Sequence, residues 1–95
     1  MKGYRYFMTA ARLCAEDSEY AENLSGKLYP EVAAQMDSTP LSVERAMRTA
    51  IQAAWKEGGF ARYAAETGNR HLSARKPTTL QVLRELTKSE NESYN

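Results

Sequence analysis

The chain has 95 residues, 42% hydrophobic and 26% charged, with a formal net charge of +1; that suffices for one domain with one core, since folding at this size removes roughly 60–70% of the unfolded surface from water. A single cysteine, Cys14, and a single histidine, His71, exclude a disulfide framework, a thiolate cluster or a His pair within the chain. No apolar run approaches the roughly 18 residues that cross a bilayer and the amino terminus lacks the apolar centre of a signal peptide, so the expectation is a cytoplasmic chain with no membrane partner and no cofactor.

Lys2 to Ala15 places Tyr4, Phe7, Met8, Ala11 and Cys14 at helical spacing with Arg5, Thr9 and Arg12 opposite, which predicts a first helix ending near Glu16. Cys14 reads as a small buried hydrophobe in a reducing compartment rather than a reactive thiol. After the polar break at 16–18, Tyr20, Leu24, Lys27 and Leu28 suit a short second helix with Ser18 as its cap. Pro30 pushes Tyr29 out of the α region and should restart the chain, so a third, short amphipathic helix carries Val32, Ala33 and Met36 inward.

Only Asp37, Ser38 and Thr39 separate that helix from a long fourth one. Thr39 before Pro40 is an N-cap hydroxyl followed by a residue suited to the first helical position. Val43, Ala46, Met47, Ala50, Ile51, Ala54 and Trp55 then form an apolar stripe expected to be buried, Trp55 included, against the first, third and last helices. The opposite face holds Ser42, Glu44, Arg45, Arg48, Thr49 and Gln52. Gly58 and Gly59 close this helix, Phe60 to Glu66 makes two turns, and Arg70 to Lys76 reads as a basic loop without periodicity. His71 is an exposed loop residue to which no chemistry is assigned. Thr78 and Gln81 form a capping box for a last helix with Leu80, Val82, Leu83 and Leu86 inward. Residues 1–88 are read as the folded domain and 89–95 as a flexible acidic tail.

The fold class expected is all-α, a six-helix domain with a helix-turn-helix in its third and fourth helices. The second helix of such a motif enters the major groove, although helix, tight turn, helix is also the commonest way to build any small bundle. The charges favour the first use. Residues 1–39 hold four Lys or Arg against six Asp or Glu, residues 40–84 eight against three, and residues 85–95 one against three. A basic middle between acidic ends is the footprint of a nucleic-acid face confined to one part of a fold. No Gly-rich phosphate loop, nucleophile elbow or paired metal ligands occur, so an enzyme is not expected.

On this face Arg45 and Arg48 are suited to O6 and N7 of guanine, and Glu44 to the amino group of cytosine. Ser42, Thr49 and Gln52 are secondary candidates for bases or phosphates; Ser38, Thr39, Arg75 and Lys76 are candidates for phosphates.

Four stretches, in this order, resemble the carboxy-terminal DNA-binding effector domain of the sporulation-initiation response regulator, the stage-zero sporulation protein A family. They are Lys2-Gly3-Tyr4-Arg5-Tyr6, Leu28-Tyr29-Pro30-Glu31-Val32-Ala33, Ser42-Val43-Glu44-Arg45-Ala46-Met47-Arg48 with Ala54-Trp55, and Lys76-Pro77-Thr78. The likeness covers nearly the whole chain. It implies six helices, a transcription regulator that reads short promoter boxes containing G·C pairs, double-stranded DNA as partner, contact with the RNA polymerase sigma subunit, and pairing of two copies on tandem sites. Two departures stand out. The family's full-length members carry a phosphoacceptor receiver upstream, which this chain is expected to lack, and the family tends to have a basic residue where Ser42 stands and a His where Thr49 stands. The rival reading in another class is a receiver-less helical protein-interaction adaptor that no longer binds DNA.

Overall fold

The computed structural model describes residues 2–93, with side chains through Ser89. All regular structure among these residues is helical: α1 (Lys2–Glu16), α2 (Glu19–Glu22), a π turn (Leu24–Leu28), α3 (Tyr29–Gln35), α4 (Pro40–Lys56), α5 (Gly59–Thr67), α6 (His71–Ala74) and α7 (Thr79–Ser93). The all-α expectation holds. The count differs from six for two local reasons. The expected second helix divides at Asn23, and the basic stretch 70–76 is not all loop, because Leu72 within it is buried and draws His71–Ala74 into a single turn.

α1 lies across both α4 and α7, and α3 closes the far side of α4. The core is built from Tyr6, Phe7, Ala10, Leu13 and Cys14 of α1, Leu28 of the π turn, Tyr29, Val32 and Ala33 of α3, Val43, Met47 and Ile51 of α4, and Leu83 of α7. α1 is rotated from its expected facing: Tyr4 and Met8 are exposed, while Gly3, Tyr6 and Ala10 turn inward. The small residues set that rotation. A Cβ at Gly3 would stand 2.4 Å from the Ala46 carbonyl oxygen and 2.6 Å from the Ala50 Cβ, so the two backbones touch where only glycine fits.

Trp55 is not buried as expected; it is 37% exposed, with its ring tilted 42° against Phe60 at 6.5 Å between centroids. The cause is helical drift. Residues spaced by four advance about 40° beyond a full turn at each step, so the stripe centred on Val43, Met47 and Ile51 has moved off Trp55 by the last turn. Ala50 and Ala54 are half-buried.

Pro30 does not restart the chain, and Tyr29 is in the α region (φ −60°, ψ −42°). The winding just before it is wider than α: the Leu28 N–H donates to the Asn23 carbonyl at 3.1 Å, and the Tyr29 N–H reaches back to Leu24. A π turn gives the proline ring room at the carbonyl four residues earlier, so the helix continues through it. Asn23 starts that turn by accepting from the Gly26 N–H at 2.9 Å. Ser18 makes no side-chain cap; the carboxylate of Asp17 accepts from the Glu19 N–H at 3.0 Å instead.

The capping box is present as read. The Gln81 side-chain oxygen accepts from the Thr78 N–H at 2.8 Å, and Thr78 Oγ1 accepts from the Gln81 N–H at 3.2 Å. The helix it starts runs to Ser93, past the Lys88 boundary expected for the folded domain. Residues 94 and 95, the end of the expected acidic tail, lie outside the described residues.

Candidate nucleic-acid interface

α3 ends in a turn that is fully specified by its own hydrogen bonds. Asp37 takes a left-handed conformation (φ 53°), the Met36 N–H donates to the Val32 carbonyl at 2.9 Å, and the Ser38 N–H reaches the Ala33 carbonyl at 2.9 Å. The bond from Ser38 is the six-to-one bond of a Schellman cap, with aspartate in the place usually held by glycine, a substitution that a short polar side chain tolerates. The next residue starts α4. Thr39 is extended (φ −118°, ψ 153°) and its Oγ1 accepts from the Ser42 N–H at 3.2 Å, while its hydroxyl donates to Ser42 Oγ at 2.9 Å. The turn is also tied to the core, because the Tyr6 hydroxyl donates to Ser38 Oγ at 3.2 Å. Ser38 therefore keeps its own proton free for an outside acceptor, whereas the Thr39 hydroxyl is committed to the cap.

The polar face of α4 is open. Ser42, Arg45, Arg48, Thr49 and Gln52 are exposed, and Glu44 is half-exposed. Within that face the charges are not equivalent. Glu44 and Arg48 form an ion pair one turn apart, whereas Arg45 makes no ion pair or side-chain hydrogen bond among the described residues. Arg48 and Gln52 also form one wall of a cleft of about 310 Å³, whose other wall is Lys76, Pro77, Thr78 and Thr79 ahead of and at the start of α7. The fold thus brings Lys76 beside α4. Arg75 is exposed and extended (φ −154°, ψ 160°) but is not among the residues lining that cleft.

Two residues that sequence reading did not single out for this face stand behind it. Tyr29 is buried at the start of α3, close enough to Thr79 at the start of α7 for that side chain to act on its phenol. Burial pushes the Tyr29 phenol above its ordinary value of 10.0, the nearby Glu44 carboxylate adds to the rise, and Thr79 and Arg48 act against it. The signal for Tyr29 lay in the Leu-Tyr-Pro step, where a large aromatic with a polar tip precedes a helix start. Farther along the basic region, Arg62 donates to the Glu57 carbonyl at 3.2 Å and so serves the end of α4.

Among the described residues, no helix is long and apolar enough to cross a membrane, and no group of three His, Cys, Asp or Glu side chains could hold a metal ion. No solved structure matches the chain. The family model described as "Sporulation initiation factor Spo0A C terminal" matches residues 1–89 of the 95. That is a family of DNA-binding effector domains of sporulation transcription regulators, not of enzymes, and the match spans every element from α1 into α7. A short turn capped at both ends, a long helix with an open basic and amide face, and a family match over nearly the full length agree, and this chain belongs to the Spo0A C-terminal family.

Proposed function

We propose that the chain is a sequence-specific regulator of transcription that reads duplex DNA with α3 and α4 as a helix-turn-helix, laying the amino-terminal half of α4 in the major groove. The observation that carries this is the guanidinium of Arg45, unengaged among the described residues and exposed on the first turns of a helix whose start is fixed by the Thr39 cap. Arg45 reads a guanine through O6 and N7. Arg48 and Glu44 act as a pair, and magnitudes say that the pair yields to DNA: an exposed ion pair one turn apart is worth a few tenths of a kcal/mol, a bidentate base contact about 1–3 kcal/mol. Ser42, Thr49 and Gln52 extend the face along the groove. Ser38, Arg75 and Lys76 serve phosphates, and Thr39 contributes through the helix start that it caps.

Two further assignments belong to the same proposal. The chain is monomeric in solution and two copies meet on tandem boxes, where adjacency supplies the effective concentration that free diffusion does not. The sigma subunit of RNA polymerase is its protein partner.

The experiment is a titration of a fluorescent duplex carrying a G·C-containing promoter box, beside a scrambled duplex, at two salt concentrations. The expected result is preference for the box and a log–log salt slope of about −0.9 for each phosphate engaged. Absence of binding at low salt would turn the case to a helical adaptor that contacts only protein.

A further inference from the structure

The stretch between α5 and α7 carries Arg70, Arg75 and Lys76, yet its only regular structure is α6, and a helix of four residues does not persist on its own bonds. Packing and side-chain bonds hold it instead. Leu72 is buried in the middle, and at the far end Pro77 is buried ahead of the Thr78–Gln81 capping box. The near end is held by Asn69. Its backbone N–H donates to Thr67 Oγ1 at 3.3 Å, and its side-chain oxygen accepts from the His71 N–H at 3.3 Å, at the start of α6. Its side-chain amide donates to Glu85 Oε1 on α7.

Glu85 has a second donor. The Tyr63 hydroxyl of α5 donates to its Oε2 at 3.1 Å, so one carboxylate joins α5, the start of α6 and the body of α7. The same residue borders an apolar groove with Phe60, Leu72, Val82 and Leu86. A half-buried carboxylate beside such a groove gives up hydration. Bonds to an ionised acceptor are about twice as strong as neutral ones, so the two donors offset that loss and hold the Asn69 side chain in the orientation that caps α6.

We propose that Glu85 is a positioning residue for the basic segment 70–76. By fixing Asn69 it sets the start of α6, and through α6 it keeps Lys76 in the cleft beside Arg48 and Gln52, with Arg75 next to it, as a phosphate clamp flanking α4. The proposal rests on the DNA-reading assignment of α4 and deepens it. Such a clamp adds affinity on any sequence and reads no base.

The test exchanges donor and acceptor. Asn69→Asp sets two carboxylates against each other and breaks the contact. Adding Glu85→Gln restores it with the roles reversed: the introduced amide donates to the introduced carboxylate and still accepts from Tyr63, and the net charge is again that of wild type. One readout needs no DNA: backbone amide relaxation, by NMR, at Ser73 and Ala74, whose N–H groups both donate to the Arg70 carbonyl at 3.1 Å. The other is the salt slope of binding to the box, beside the ratio of box to scrambled affinity. We expect Asn69→Asp to loosen Ser73 and Ala74 and to make the slope shallower by about 0.9 for each phosphate lost, with the ratio unchanged. The exchanged pair should behave as wild type. Lys76→Ala should take about 0.9 from the wild-type slope and nothing further from that of Asn69→Asp. A segment equally ordered in all variants overturns the proposal, and so does an exchanged pair that fails to restore order. A lowered melting temperature with an unchanged slope also overturns it, leaving Glu85 a packing group only. A loosened segment in Asn69→Asp alongside a wild-type chain that binds no duplex at low salt upholds the Glu85 contact and overturns the DNA reading instead.

Discussion

Arg45 and Arg48 lie on the same face of one helix, yet among the described residues folding leaves one guanidinium free and pairs the other with Glu44. That asymmetry makes Arg45 the sharper test. Arg45→Ala should cost about 1–3 kcal/mol in specific binding and relax the preference at a single base pair, as read from affinities across a set of box variants; equal weakening on random DNA would make it a phosphate contact. A second contrast concerns the core. Met47 is fully buried and Trp55 is 37% exposed, so Met47→Ala should cost about 2–5 kcal/mol and Trp55→Ala only about 1–2 kcal/mol. Urea unfolding of both variants checks this, and a larger loss at Trp55 would show its contacts to have been undervalued. At this scale the sequence was read well where chemistry is local and less well where size misleads. The face of Glu44, Arg45 and Arg48 follows from periodicity alone, whereas Trp55 drew attention by its bulk and Gly3 drew none.

Among the elements, those fixed by short-range bonding were legible. The Thr39 start of α4 and the Thr78–Gln81 box depend on residues three apart, and both are present. The π turn was not legible, because it depends on how Asn23 and Leu24 accommodate Pro30 rather than on any periodic pattern. Its neighbourhood is held by charge. Lys27 donates to Asp17 at 3.1 Å and to Glu19 at 2.8 Å, and its ammonium lies 4.8 Å from the centre of the Tyr20 ring. The N–H of Glu19 first, and then Lys27, hold the Asp17 carboxyl below its ordinary 3.8. Its folded value being depressed, the unfolded chain binds more protons in that window, so its contribution is present above about 3.8 and lost as pH falls through the folded value. Glu19 first, and then Asp17, raise Lys27 above its ordinary 10.5, so its contribution is full below that pH and is lost as pH rises through the folded value. An acid titration followed by melting temperature should show a smaller loss on the acid limb for Asp17→Asn than for wild type. Equal acid limbs would remove Asp17 from the account.

For the molecule as a whole, the described residues contain no buried charged or polar residue in the core, and the packing there is apolar. The tightest point of that packing is Gly3 against Ala46 and Ala50. Gly3→Ala should therefore destabilise by about 1–3 kcal/mol through overpacking, although alanine is the better helix former by about 1 kcal/mol. Urea midpoints decide the sign, and a stabilised variant would mean that α1 can shift without cost. The all-helical architecture was legible because amphipathic spacing is a property of each segment; the crossing of α1 over α4 was not, because it is a property of two.

The Gly3 contact also acts as a fulcrum. It bears on the middle of α4, and the Pro40 end, which carries the Thr39 cap, projects about 9 Å beyond it at 1.5 Å per residue. A pivot of about 10° at Ala46 would swing that end by roughly 1.5 Å, more than the whole spread of distances over which a hydrogen bond to a base remains good. If α4 reads DNA as proposed, a methyl group added to α1 at this contact would in this way change the aim of the reading end. Under the proposed reading, sequence preference would then be set partly by a glycine outside the reading face.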